Sequence, residues 1–282
     1  MFSSGENERR LEKLAERYPA QLRQLTVTPS GRPVTAIKLG DGAHTVLVTA
    51  AHHANEWITA VLILEFLEKN MESILSSGAT LWAVPLVNPD GVDLVTGAAT
   101  EEEVAAAEKL AESYPEIPFP DGWKADLQGV DLNLQYPAGW LQAREIKYMQ
   151  GFDRPGPRDF VGAYPLSQRE TRALAAFTEE IDPDLVLAYH TQGEEIYWQF
   201  EDIFVPGARE LGAEFAALSG YTLADTPYNS SFAGFKDWFI KWFRRPGYTI
   251  EAGLGENPLP IEQLPGIYEA NLPILLRALQ PG

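Results

Sequence analysis

The stretch TVLVTAAHHANEW, residues 45–57, carries the reading of the fold. Thr45–Ala51 is almost wholly apolar, the pattern of a strand buried on both faces of a sheet. Two histidines follow, and Glu56–Ile74 then has helical length and periodicity. A doubly buried strand running into a helix is the unit from which parallel sheets are built.

Working outward, the same alternation recurs. Glu6–Tyr18 reads as an amphipathic helix with Leu11, Leu14 and Ala15 on one side. Val34–Leu39 and Leu81–Val87 read as strands, the second ending at the turn signal Asn88-Pro89-Asp90-Gly91. Thr100–Ser113 is expected to be a helix whose acidic run, Glu101-Glu102-Glu103, forms a solvated face near its N-terminus. Pro115–Tyr164 is irregular and rich in Pro, Gly and aromatics, and loops of that length inside a domain are usually functional. Order resumes with helix Ser167–Ile181, strands Leu185–His190 and Ile196–Phe200, helices Pro206–Ser219 and Ala233–Phe243, strand Tyr248–Glu251 and a last helix within Pro260–Leu279. The expectation is an α/β chain, one domain over residues 1–282, with a mixed, mostly parallel sheet flanked by helices. Sites in such folds gather at the carboxyl ends of strands, where His53, His190 and Glu251 stand.

Composition narrows the function. The 22 Lys and Arg against 40 Asp and Glu leave a net charge of −18, which argues against nucleic acid and against an anionic membrane surface. With no cysteine in the chain, thiol nucleophiles, disulfides and Cys-ligated metals are excluded. The N-terminal MFSSGENERRLEKLAERYPA is charged and lacks the apolar core of a signal peptide, and no apolar run is long enough to span a bilayer, so the expected location is cytoplasmic.

Of the four histidines, His53 stands three residues before Glu56, where a strand gives way to a helix. That spacing lets an imidazole and a carboxylate converge on one ion, although the same pair also opens many surface helices. His190 adds a second imidazole at another strand end. Two His and one Glu with a fourth position open to water is a standard catalytic zinc set. Glu251 ends a buried strand, where a carboxylate is costly unless paired or functional; a helix cap or an ion pair would also account for it. His52 should point away from His53, toward packing or a supporting contact, and His44 reads as a surface residue.

The blocks HHANEW, VPLVNPDGVDLV, WKADLQGVDLNLQYP, LAYHTQGEEIYW, AGFKDWF and YTIEAG resemble, in order, those of the zinc carboxypeptidases related to carboxypeptidase A. The resemblance runs from about Leu11 to Leu279, and the wording is similar to bacterial γ-D-glutamyl-meso-diaminopimelate endopeptidases in particular. It implies one zinc ion held by His53, Glu56 and His190, Glu251 as general base, and Asp131 as the carboxylate orienting the first zinc histidine. The implied substrate is a peptide, a peptidoglycan stem peptide or muropeptide. Asn133 falls at a substrate-binding position, Lys236 at the base of the pocket for the leaving side chain, and Tyr228, one residue out of step, near a mobile tyrosine of the family. Lys236 could equally be a helix-surface lysine.

Two departures qualify the resemblance. Lys124 stands where the family has an oxyanion-stabilising Arg; it keeps the charge without the planar fork, or is a solvated loop residue. Leu134 stands where carboxypeptidases grip the terminal carboxylate with Arg, and leucine cannot pair with an anion. Endo-type cleavage is therefore expected over removal of the last residue. The alternatives are a metallocarboxypeptidase with its cation elsewhere, and an inactive relative that only binds wall peptides, against which the intact Glu251 speaks.

Overall fold

The computed structural model describes residues 2–281. The chain opens with helix α1 (Ser4–Arg17) and strands β1 (Ala20–Val27), β2 (Pro33–Leu39) and β3 (Thr45–Ala50). Helices α2 (Ile58–Lys69) and α3 (Met71–Ser76) lead to β4 (Thr80–Val84), α4 (Pro89–Val95) and α5 (Glu101–Ala111). After α6 (Trp140–Met149) and α7 (Arg169–Ile181) come β5 (Leu185–His190) and β6 (Glu195–Tyr197). Helix α8 (Ala208–Ser219), β7 (Thr222–Ala224), α9 (Phe235–Phe243), β8 (Gly247–Glu251) and α10 (Leu264–Ala278) follow.

The strands form one sheet in the order β1-β2-β4-β3-β5-β8-β6-β7. The central four, β4-β3-β5-β8, are mutually parallel, while β2 joins β4 and β6 joins β8 antiparallel. The alternation of strand side chains divides the core in two. Val46, Val48 and Leu187 pack with Leu11 of α1, Leu62 and Phe66 of α2 and Ile274 of α10. Leu47, Val186 and Ala188 face the other layer, where Leu174 and Phe177 of α7 and Trp238 and Phe239 of α9 lie. Both faces of β3 and β5 are thus covered, which is why their sequences are continuously apolar.

The expected α/β architecture stands, with differences in detail. Strand β1 was not expected: it is polar and half exposed, as edge strands are. Asn88-Pro89-Asp90-Gly91 does more than turn the chain: it starts α4, with the Asn88 side chain accepting the Gly91 N–H and Pro89 in the first turn. The expected helix Glu56–Ile74 is broken at Asn70 into α2 and α3. Helix α6 lies inside the stretch expected to be irregular. The acidic run of α5 is not merely solvated. Glu103 closes a capping box with Thr100 and also binds Arg32 through both oxygens, at 2.7 and 2.8 Å.

The chain enters β3 between strands built on opposite sides of it, β4 to one side and β5 to the other. A crevice opens at the carboxyl ends of strands where such a sheet divides. The loops following β3, β5 and β8 meet there.

Candidate metal centre and its cavity

Strand β3 ends at Ala50, and Ala51 adopts a left-handed backbone (φ 49°) that turns the chain away from the sheet. His53 then caps a single 3₁₀ turn, Ala54–Glu56. Residues three apart nearly eclipse one another in such a turn, so the His53 and Glu56 side chains are brought to the same side. His190 is the last residue of β5 and pairs in register with Glu251, the last residue of β8. The row β3-β5-β8 thus sets His53, His190 and Glu251 side by side along one edge of the sheet.

His53 Nδ1 lies 2.9 Å from Glu56 Oε1, and His190 Nδ1 lies 2.8 Å from Glu56 Oε2. The two Nδ1 atoms are 3.3 Å apart. That spacing matches the edge of a tetrahedron whose centre is about 2.0 Å from each nitrogen, the zinc–imidazole distance, giving about 3.3 Å. The His53 Nε2 on the far side of the ring lies 3.1 Å from Asp131 Oδ1, which fixes the tautomer with its Nδ1 lone pair turned inward. His53, Glu56 and His190 are thus placed to bind one metal ion.

The electrostatics favour a cation. Burial alone would raise Glu56, but His53, Lys124 and His190 hold it well below the usual carboxylate range. Burial opposes charge on His53 too, yet Glu56 and Asp131 lift it to about 9. The field that holds a proton on that ring draws a metal ion equally well. Burial, and then the negative charge of Glu56, push Glu251 up to about 8. A positive charge among the three ligands would counter that rise.

A cavity of about 910 Å³ opens over these groups. A zinc carboxypeptidase model matches residues 8–274, nearly the whole chain. This protein belongs to the zinc carboxypeptidase family. It is 39% identical over 287 residues to gamma-D-glutamyl-L-diamino acid endopeptidase 1 of Lysinibacillus sphaericus, covering 95% of this chain and 70% of that protein. Its fold is similar to that of carboxypeptidase A from Helicoverpa armigera (TM-score 0.74, 17% identity, 99% of this chain and 73% of that one). It is also similar to that of murein-tripeptide amidase MpaA from Escherichia coli O157 (TM-score 0.59, 20% identity, 91% of each chain). The protein is a zinc metallopeptidase, and the His-Glu-His group is where the metal fits.

The other expected residues take varied places around this site. Lys124 reaches its centre, with Nζ 3.0 Å from Glu56 Oε1. Asn88 explains how: its side-chain amide bonds the carbonyls of His52 at 3.2 Å and Ala125 at 3.0 Å, tying the metal-binding turn to the Lys124 segment. Gly91 is needed beneath them, because a Cβ there would come within 2.4 Å of the Ala125 carbonyl oxygen. Asn133 lines the cavity, its Oδ1 accepting Phe235 N–H at 3.0 Å while its amide NH₂ has no protein partner among the described residues. Leu134 lines the cavity as well, with its side chain packed into the core.

Lys236 is a buried cavity residue rather than a helix-surface lysine; its Nζ donates to Gln199 O at 2.6 Å and lies 2.6 Å from Asp237 Oδ1. Tyr228 is 68% exposed, stacks edge-on against Phe232 at 5.3 Å and is not among the cavity-lining residues. His52 is buried beneath the metal-binding pair, against the His190 ring and 3.1 Å from Tyr136 OH, and burial holds it neutral. His44 is half-buried and bonds the Ala278 carbonyl at 3.0 Å, which ties β3 to α10.

Among the cavity residues, Thr191 and Arg158 escaped sequence reading, whereas the aromatic run Tyr197–Phe200 could be read as lining a cleft. Thr191 supports Glu56 Oε2 through its backbone N–H at 3.3 Å, a contact no side-chain pattern records. Tyr197 lines the cavity with its hydroxyl on Glu195 Oε2 at 2.5 Å. Arg158 lies in the long stretch marked only as functional, and nothing in the spacing of RPGPRDF links it to residues more than thirty positions earlier in the chain.

Proposed function

We propose that this protein hydrolyses the γ-D-glutamyl–meso-diaminopimelate bond of peptidoglycan stem peptides or muropeptides, acting within the peptide rather than at its C-terminus. The observation that carries this reading is Leu134, an apolar residue lining the cavity beside Asn133, where a carboxypeptidase needs a cation for the terminal carboxylate. The Lysinibacillus sphaericus relative, 39% identical, bears a name describing cleavage between a γ-D-glutamyl group and an L-diamino acid, which supports the same bond type.

A zinc ion held by His53, Glu56 and His190 would supply Lewis acidity toward the scissile carbonyl and acidify a water molecule. Glu251, next to His190 across the strand pair, is the base that accepts the water proton and returns it to the leaving amine. Its carboxyl must be ionised at the start of each cycle, so charge balance at the centre governs its availability. Lys124 presents its ammonium beside Glu56 and stabilises negative charge developing on the carbonyl oxygen. The free amide of Asn133 offers donors to the substrate backbone. Lys236, whose ammonium donates to Gln199 O and is ion-paired with Asp237, retains donor capacity for the second carboxylate of diaminopimelate.

The test is incubation of the zinc-loaded protein with L-Ala-γ-D-Glu-meso-diaminopimelate-D-Ala, followed by mass spectrometry. Release of the dipeptide diaminopimelate-D-Ala is expected. Release of D-Ala alone would make this a metallocarboxypeptidase and overturn the reading of Leu134.

A further inference from the structure

From Glu251 the cavity runs along one face of β8. Residues two apart on a strand share a face, so Glu251, Thr249 and Gly247 form one row on the side of α9. The Lys236 stem lies against Gly247, where a Cβ would meet Lys236 Cγ at 3.6 Å. Strand β6 pairs antiparallel with β8 and sets Glu195 opposite Glu251 and Tyr197 opposite Thr249. Tyr197, Thr249 and Lys236 all line the cavity together with Glu251. Asn133 lines it as well and is tied to the start of α9 through Phe235 N–H, one residue before Lys236. Tyr197 therefore stands between the base Glu251 and the buried ammonium of Lys236.

The charges along this row alternate in sign. Glu195 faces Glu251 across the strand pair, and like charges so placed repel one another. No Lys, Arg or His forms an ion pair with Glu195 among the described residues; its side chain accepts the Tyr197 hydroxyl at 2.5 Å. Burial, that hydrogen bond and the charge of Glu251 raise the phenol, so its proton stays in place and points at Glu195. The hydroxyl oxygen keeps lone pairs for a donor in the cavity. With two carboxylates beside it, that donor is best a cation. Lys236, further along the row, offers the opposite charge.

We propose that the Tyr197 hydroxyl, backed by the Glu195 carboxylate, binds the free ammonium at the far stereocentre of the leaving diaminopimelate. This rests on the reading above, in which Glu251 serves the leaving amine and Lys236 the second carboxylate, and adds the pair that reads the remaining charge. Two strand residues span about 6.7 Å, close to the reach of the five single bonds between the leaving nitrogen and the far carbon of diaminopimelate. Measured from Glu251 along β8, that span ends at Thr249 and its partner Tyr197. Ammonium and carboxylate sit on the same far carbon, so one pose presents the first to Tyr197 and the second to Lys236.

The experiment compares two tetrapeptides, L-Ala-γ-D-Glu-X-D-Ala, in which X is meso-diaminopimelate or L-2-aminopimelate. The second keeps the far carboxylate and lacks the amine. Release of the dipeptide X-D-Ala is followed, so only internal cleavage is counted. Values of kcat/KM are measured for the zinc-loaded wild type, Glu195→Gln and Tyr197→Phe, each first shown to melt as the wild type does. The wild type should prefer the diaminopimelate peptide by roughly 10- to 100-fold, the worth of a hydrogen bond to a charged group. Glu195→Gln should bring that preference close to unity, and Tyr197→Phe should lower it, both chiefly by slowing the diaminopimelate peptide. If Glu195 acts only on Glu251, Glu195→Gln changes both peptides by the same factor and the preference survives, which overturns the proposal. A wild type without the preference overturns it too, while leaving γ-glutamyl cleavage standing. If the wild type releases neither dipeptide, the γ-glutamyl reading fails and this assignment falls with it.

Discussion

Asp131 holds His53 from behind: Oδ1 lies 3.1 Å from Nε2, and the same oxygen accepts the Asn133 N–H at 3.0 Å. One carboxylate therefore sets both the tautomer of a metal ligand and the start of the turn that carries Asn133 and Leu134 into the cavity. Asp131→Asn keeps the shape but puts an uncharged amide against the ring. Zinc affinity should fall roughly 10- to 100-fold, measured by competition with a chelator of known affinity. An unchanged affinity would show that the contact does not act on the metal.

Glu251 is adjacent to the metal-binding group without belonging to it. Glu251→Gln should keep about one zinc per chain by elemental analysis while kcat falls by at least ~10²- to 10⁴-fold, the range for loss of a general base. Loss of zinc from this variant would make Glu251 a ligand. His53→Ala provides the contrast and should lose metal and activity together; full zinc occupancy there would refute the ligand assignment.

Arg32 joins three acids, at 3.0 Å to Asp90, 2.6 Å to Asp93 and 2.7 Å to Glu103, and Asp90 and Asp93 are buried. Removing one partner of a buried ion pair leaves uncompensated charge and typically costs about 3–5 kcal/mol. Arg32→Met should lower stability by that order in urea unfolding at neutral pH. A change below 1 kcal/mol, about the worth of an exposed pair, would mean that water already solvates the cluster.

Burial raises Glu170 to about 7, and its Oε2 has no hydrogen-bond partner among the described residues. The folded state therefore keeps a proton that the unfolded chain releases near pH 4.5. The contribution of this residue to stability is intact below pH 4.5, declines between pH 4.5 and 7, and is level above. The decline amounts to about 3 kcal/mol at most. Glu170→Gln should remove that slope, so its stability relative to the wild type should grow between pH 4.5 and 7.5 in denaturant titrations. Parallel pH profiles for the two proteins would contradict the assignment.

Much of this protein is legible in one dimension. The apolar runs Thr45–Ala51 and Leu185–His190 are strands because a segment covered on both faces must be apolar throughout, a condition local sequence expresses directly. His53 and Glu56 are close because one turn of chain connects them, so their spacing alone announces the pair. Elements whose stability comes from neighbours were harder to read. Strand β1 is polar and owes its form to pairing with β2, and α6 gains its place by burying Trp140, Ala143 and Ile146 against the second core layer.

Tertiary structure decided the rest of the site. His190 lies 137 residues from His53, yet their ring nitrogens stand 3.3 Å apart because β3 and β5 are paired in parallel register. The same packing turns Lys236, which falls in the matched block AGFKDWF, inward to Asp237, and leaves Tyr228, which stands one residue out of step with the family pattern, exposed against Phe232. It also brings Arg158 to the cavity by hanging its backbone on Lys124 and Asp131. Residue types and short spacings determine which chemistry the chain carries, since they act within one turn of backbone. Which distant side chains share a cavity, and what charge each faces there, depends on strand register and long-range hydrogen bonds that only the folded chain contains.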